Sequence, residues 1–375
     1  MTTTVCLAAN TLSYPEGGGH LWVHLNWALG MRSLGCRVTW LEAVSPSTPA
    51  PRVRAWVAAL KGHLQRYGLA DRVALCSTSS KPLTRRVTEG CLDLDAAAQA
   101  DLLLNLRYDM RAEVTARFRR SALLDIDPGE LQVWMSKREL NVAPHDLYFT
   151  IGETVGRPGA RFPDCGLEWH YTPPCVALDW WPPRRAPADA PFTTVAHWDD
   201  GWMEDEGGGY PNGKAITFQP YLSLPRLTTQ PLELALDLVA GEKDQVTLWR
   251  HGWRVCDAWA VAGTPWDYQR YIQNSRGEFS CVKLHCIRLE NAWISDRTLC
   301  YLASGKPAVV QHTGPSRFLP DAAGLLRFRD LAGAVRCLEA AAVDYDRHCH
   351  LARALAEEHF DARKVAGRLL ERAAA

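Results

Sequence analysis

Apolar and polar positions in this chain follow two alternating periods. Short apolar runs recur, and most are followed by a stretch with helical spacing. Thr4 to Ala9 is the first apolar run and reads as a buried strand. A turn-rich loop, Asn10 to Gly19, leads into a helix over about His20 to Leu34. Leu21, Leu25, Ala28 and Leu29 share one side of it, and Gly35 ends it. Arg37 to Leu41 is the next strand. A strand, helix and strand in that order favour a parallel sheet with a right-handed crossover. The alternation continues with a helix over Pro51 to Tyr67 and another over Leu94 to Ala100, capped by Asp93. Strands are predicted at Arg72 to Cys76, Asp101 to Leu106, Ser121 to Asp125 and Asp146 to Ile151.

Six prolines punctuate Thr172 to Pro191, which reads as an interdomain linker. The alternation then restarts with a strand at Phe192 to His197 and a long Gly- and acid-rich loop to Lys214. A short helix over Ala215 to Leu224 is interrupted by Pro220. Strands are predicted at Pro231 to Leu238, Gln245 to Trp249 and Gly324 to Phe328, with a helix over Trp266 to Asn274. Ala332 to Ala375 is a helical tail rich in Ala, Arg and Glu. A chain of 375 residues is long for one core and comfortable for two.

Charge changes the picture by subtraction. The 42 basic and 42 acidic residues balance to a formal net charge of +0, so no global field draws nucleic acid or an anionic membrane. Nucleic acid is therefore excluded as an expected partner. The 12 cysteines form no CxxC pair and mostly sit in apolar runs, which reads as free thiols in a reducing compartment. The N-terminus has no basic, then apolar, signal pattern, and no run of about 20 apolar residues occurs. The expectation is a cytoplasmic protein, monomer or homodimer, without integral membrane association.

Several clusters carry candidate chemistry. Gly17, Gly18 and Gly19 precede His20 where the first helix opens, and the spacing is not that of a dinucleotide fingerprint. Glycines let a backbone approach a ligand, and an imidazole titrates near neutral pH, which suits a general base. Asp125 and Asp127 end a predicted strand ahead of Pro128 and Gly129, with Glu153 similarly placed at the next strand end. After Phe192 to His197 come Trp198, Asp199, Asp200 and Gly201, then an acidic run, Glu204 to Glu206, and Lys214 as the nearest cation.

The most informative stretch is Glu278 to Pro320. Its core is a helix from Asp296 to Ser304, capped by Ser295 or Asp296 and ended by Gly305. Pro307 stops it, and a strand from Ala308 to Thr313 closes on Gly314. Trp293 and Ile294 precede a helix start bearing Ser295, Asp296, Arg297 and Thr298. Unsatisfied first-turn N–H groups, hydroxyls and a bidentate guanidinium suit a phosphate.

A loop, a capped helix, a small-Gly-Lys-Pro break and a parallel strand resemble the nucleotide-sugar half of GT-B-fold glycosyltransferases. The resemblance implies an α/β chain of two Rossmann-like domains around a central cleft. The first, 1–178, would bind acceptor and the second, 190–345, would bind a nucleoside-diphosphate sugar. A C-terminal crossover helix, 346–375, would pack back on the first. It further implies a sugar transferase, hexose and UDP being the leading donor parts, that needs no metal and no cofactor. The glycine loop (Gly17, Gly18, Gly19), Lys214, Trp293, Ser295, Asp296, Arg297, Thr298, Thr313 and Gly314 would bind donor. His20 or Asp127 would be the base toward a small-molecule hydroxyl, such as that of a nucleoside-like compound or natural product. One departure bears on mechanism. Many retaining members carry two glutamates eight positions apart, where this chain has Ala292 and Cys300. An inverting course is therefore preferred. A nucleotide-sugar 2-epimerase and a non-catalytic binding subunit are the alternatives on the same fold.

Overall fold

The computed structural model describes residues 3–198, 201–205, 207–238, 243–321 and 323–375. The chain divides into two compact units. One comprises Met1–Gly156, Pro163–Ala177 and Ala362–Ala375, and the other Arg157–Phe162 and Leu178–Asp361.

The first unit is built on seven parallel strands: β1 (Thr4–Ala9), β2 (Arg37–Val44), β3 (Val73–Ser77), β4 (Leu102–Asn105), β5 (Ser121–Asp125), β6 (Leu147–Thr150) and β7 (Trp169–Tyr171). Their spatial order is β3-β2-β1-β4-β5-β6-β7. The central strands β1, β4 and β5 are buried on both faces, so their sequences are nearly continuous apolar runs. The helix Gly18–Ser33 buries Trp22 and Trp27 almost completely and packs against the last helix, Ala362–Ala374. Gly30 makes that packing close. A Cβ there would stand 2.6 Å from the Ala362 carbonyl oxygen.

The second unit repeats the plan with β8 (Phe192–His197), β9 (Trp202–Asp205), β10 (Gly208–Pro211), β11 (Leu232–Asp237), β12 (Arg254–Asp257), β13 (Gly277–Ser280), β14 (Ala308–Gln311) and β15 (Leu325–Phe328). Its parallel sheet runs β12-β11-β8-β13-β14-β15, and β9 and β10 form a separate antiparallel hairpin. An aromatic core supports it, with Phe279 and Phe328 stacked at 5.2 Å. In both sheets strand order reverses beside the first strand, between β1 and β4 and between β8 and β13. Such switch points are where parallel sheets bind ligands, at the strands' carboxyl ends.

Three parts differ from the expectation. Gln245 to Trp249 is helical, within Lys243–Arg250, because only Leu248 of that run is buried while Trp249 is exposed. The strand it was read as is β12, farther on. The loop after β8 contains the β9–β10 hairpin, and Asp199, Asp200 and Glu206 lie outside the described residues. The tail is divided. Tyr345–Leu355 and the π-helical turn Ala356–Phe360 belong to the second unit, and the helix Ala362–Ala374 belongs to the first. All 12 cysteines are free thiols, none exposed.

Candidate active site

In the first unit a cavity of about 360 Å³ opens at the carboxyl ends of β1, β4 and β5. His20 and Asp127 both line it, although 107 positions separate them in sequence. The His20 Nε2 donates to the Asn10 carbonyl at 2.7 Å. A carbonyl only accepts, so that nitrogen carries the hydrogen and Nδ1 is the basic one. One helical turn on, His24 Nδ1 donates to the His20 carbonyl at 3.2 Å, and the two rings meet edge to face at 5.1 Å. Burial, then the neighbouring His20, lowers His24 to about 3. It is thus a neutral ring whose Nε2 has no hydrogen-bond partner among the described residues.

Asp127 is held by Tyr108. That hydroxyl accepts from the amides of Ile126 at 2.8 Å and Asp127 at 3.0 Å, and donates to Asp127 Oδ2 at 3.1 Å. Behind it Asp125 is fully buried, with Oδ2 receiving Gln132 Nε2 and Thr150 Oγ1, both at 2.8 Å, and Oδ1 receiving the Asp127 amide at 3.0 Å. Burial pushes the Asp125 carboxyl up to about 7 against those hydrogen bonds, so it serves as a scaffold rather than an exposed base. Arg107 forms an ion pair with Asp109 on the cavity wall, its Nη2 donating to Oδ2 at 2.9 Å. Glu153 is buried and does not line the cavity. Neither do Gly17, Gly18 and Gly19. The space a side chain would need at Gly17 is filled by the Tyr14 ring, 2.1 Å from the ideal Cβ position.

Tyr108, His24 and Arg107 were missed from sequence. His24 had a signal, since residues four apart share a helix face. The other two follow β4, and only sheet order places β4 next to β1.

In the second unit the helix Asp296–Ala303 begins beside the carboxyl ends of β13 and β14. Ser295 caps it, its Oγ accepting from the Arg297 amide at 3.2 Å. The loop before it is strained: Glu290 (φ 48°) and Ala292 (φ 53°) are both left-handed. Such residues cost of order 1–3 kcal/mol each and concentrate at ligand sites. Contacts with the end of β14 hold the loop. The Ala292 amide donates to the Thr313 carbonyl at 2.9 Å, and Thr313 Oγ1 to the Trp293 carbonyl at 2.6 Å. Gly314 (φ 116°) lies against Glu290, where a Cβ would come within 2.8 Å of its carbonyl oxygen. Trp293, Ser295, Arg297, Thr298 and Thr313 line one small cavity of about 10 Å³ with Arg327. That is room for about one water, so an anion would meet the helix start rather than enter behind it.

Arg297 has partners the sequence did not disclose. Its Nε donates to Glu278 Oε1 at 2.8 Å and its Nη1 to the Val195 carbonyl at 2.9 Å. Lys214 opens the helix Lys214–Phe218. Burial raises the Cys281 thiol against the charges of Lys214 and Arg297, and Thr217 Oγ1, on the same helix as Lys214, donates to the Val282 carbonyl at 2.7 Å just past β13. Among the described residues no group of three His, Cys, Asp or Glu could hold a metal ion, and no helix is long and apolar enough to cross a membrane.

A scan against protein-family models finds no match, and a search of curated proteins finds no relative by sequence. Similarity appears in three dimensions. An α-glucosyltransferase solved with UDP-glucose and DNA containing an abasic site has 10% identity and a TM-score of 0.59, with 100% of each chain covered. The Anabaena protein HepE, solved with UDP and glucose, has 12% identity and a TM-score of 0.57, with 99% of each chain covered. Two parallel sheets of seven and six strands, matched over nearly the whole length of both structures, give this chain the GT-B fold. The comparison corrects one expectation. Nucleic acid was excluded on zero net charge, yet an enzyme of this fold is solved repeatedly with DNA. Net charge averages over the whole surface and does not describe any one face of it.

Proposed function

We propose that the protein transfers a sugar from a nucleoside-diphosphate sugar to an acceptor hydroxyl. The observation that carries this reading is the capped helix start at Ser295–Thr298, at the carboxyl edge of β13 and β14 in a GT-B chain. Its first-turn N–H groups, the Ser295 and Thr298 hydroxyls and the nearby Lys214 suit a diphosphate. Asp296 favours a ribose hydroxyl or the cap, and Thr313 and Gly314 stand at the strand end beside it. UDP is the first nucleotide to try, since the similar structures hold it.

The acceptor hydroxyl belongs in the first unit's cavity. His20 Nδ1, or the Asp127 carboxylate, takes its proton as the oxygen bonds to the sugar's anomeric carbon. The bond from that carbon to the diphosphate oxygen breaks, and the nucleoside diphosphate leaves with the electron pair. The helix start and Lys214 stabilise the growing charge. An inverting course fits, because Ala292 and buried Cys300 offer no carboxylate for a retaining mechanism. Trp293 supplies an aromatic face at the same edge.

The test is calorimetry with UDP, followed by incubation with UDP-sugars and measurement of released UDP. Micromolar UDP binding and slow donor hydrolysis are expected. No binding of any nucleoside diphosphate would overturn the reading. Conversion of donor to a second UDP-sugar, without release, would make the protein an epimerase instead.

A further inference from the structure

A second cavity of about 230 Å³ lies beside the first in the same unit, at the ends of β1, β2 and β3. Asn10 and Arg107 line both, and Arg107 Nη1 donates to Asn10 Oδ1 at 3.2 Å, so the two cavities adjoin as a trough crossed by that pair. Its wall carries the hydroxyls of Ser13, Ser45, Thr48 and Thr78 and the half-exposed ring of Trp56. Glu42 lines it too, but that carboxylate is occupied. It receives the Thr11 amide at 3.0 Å, the Thr11 hydroxyl at 2.5 Å and Trp40 Nε1 at 2.9 Å.

The rim is basic in a chain that is neutral as a whole. Between Glu42 and Glu89 stand eight Lys and Arg against one acid, Asp71, although Arg72, which donates to Thr39 Oγ1 at 2.8 Å, lies at the amino end of β3, away from the trough. Arg52, Arg54, Lys81, Arg85 and Arg86 are exposed, and local contacts gather them. Arg54 Nη1 reaches the Arg86 carbonyl at 3.2 Å, the Arg52 guanidinium lies 6.0 Å from the Trp56 ring, and the Lys81 carbonyl accepts Ser77 Oγ at 2.6 Å. Of the acids on the far side, Asp109 and Glu113 are paired with Arg107 and Arg111, while exposed Glu139, with Asp127, also lines the first cavity.

We propose that this trough binds a single strand of nucleic acid, with the reacting nucleotide in the first cavity and its neighbour on Trp56. The assignment rests on the first cavity being the acceptor site. Cations that track phosphates, hydroxyls that donate to phosphate oxygens and an aromatic face for a base are the combination single strands require. An acidic protein would use the cations but not the open ring.

The experiment is fluorescence anisotropy of a labelled 12-nucleotide single strand with the full chain at several salt concentrations. UDP calorimetry is run on each preparation. Neutralising about four phosphates gives a log–log salt slope of about −3. Arg52→Glu with Arg86→Glu should flatten that slope and weaken binding at least about tenfold. Trp56→Ala should weaken it about 5- to 150-fold, the range of one lost base stack. Absence of binding at low salt overturns the proposal. So does binding that heparin of equal charge matches and Trp56→Ala leaves unchanged. A protein that binds UDP but no strand keeps the transferase reading and loses this one, whereas failure to bind UDP removes the reading beneath it.

Discussion

Arg297, in the first turn of its helix, reaches back to fully buried Glu278 on β13, Nε to Oε1 at 2.8 Å. Its Nη1 continues to the Val195 carbonyl on β8. One side chain therefore fastens the proposed diphosphate seat to two strands at the switch point. Removing one partner of a buried pair leaves an uncompensated charge, at about 3–5 kcal/mol. Arg297→Met should lower the second unit's stability by that amount. The double variant Glu278→Leu/Arg297→Met should recover most of it. Urea unfolding followed by tryptophan fluorescence measures both. An Arg297→Met protein of normal stability would mean the pair is not what holds the helix start.

Lys306, in the break after the same helix, is entirely buried, and its Nζ has no hydrogen-bond partner among the described residues. Burial lowers it to about 8 from 10.5, with Arg184 and Arg276 adding to the fall and Cys349 opposing it. Below pH 8 the group is charged in both states, so the folded protein bears the whole cost. Between about pH 8 and 10.5 the unfolded chain binds more protons, so stability rises with pH. Lys306→Met should therefore stabilise the protein at pH 7 by up to about 3 kcal/mol. The gain should vanish by about pH 10.5. A difference in urea midpoint that stays constant over that range would show that Lys306 is not a buried ammonium.

Ser121–Asp125 and Phe192–His197 are legible in the sequence at the bounds they have in the structure. Strands buried on both faces must be apolar throughout, and few other segments are. β13 is not legible, because Glu278 interrupts it and the partner that offsets its charge lies nineteen positions away. The same limit applies to the site. His20 and Asp127 can be picked out as side chains at element ends. Tyr108, which fixes Asp127, belongs to a loop after β4, and nothing local in the sequence brings that loop to β5.

Gly30 tests the docking of the last helix. In an exposed helix Gly→Ala gains about 1 kcal/mol. Here the new methyl would meet the Ala362 carbonyl oxygen at 2.6 Å and its Cβ at 2.9 Å. Gly30→Ala should instead destabilise the first unit by about 1–3 kcal/mol, the usual cost of overpacking. Hydrogen exchange should quicken in Ala362–Ala374 before the rest of that unit. A stabilised variant with unchanged exchange would show that the helix has room to shift.

Tyr108 and Asp127 give the sharpest test of the chemistry. The Tyr108 hydroxyl accepts two amides, at 2.8 and 3.0 Å, and donates to Asp127 Oδ2 at 3.1 Å. Tyr108→Phe removes those bonds, while the Asp127 amide keeps Asp125 Oδ1 at 3.0 Å. The stability cost should be about 1–3 kcal/mol, because the Ile126 amide loses its partner. Turnover should fall about tenfold, as when a catalytic group loses about 1.4 kcal/mol of positioning. UDP affinity should not change, because the proposed nucleotide seat is in the second unit. The informative comparison is a double-mutant cycle with Asp127→Asn, run beside His20→Ala. If Tyr108 acts by aiming Asp127, adding Tyr108→Phe to Asp127→Asn costs little more, and the two effects fail to add. If His20 is the base and Asp127 only shapes the turn, His20→Ala abolishes turnover and Asp127→Asn retains most of it. Fully additive losses in kcat would mean that Tyr108 meets the acceptor itself, and its hydroxyl would then count as a catalytic group.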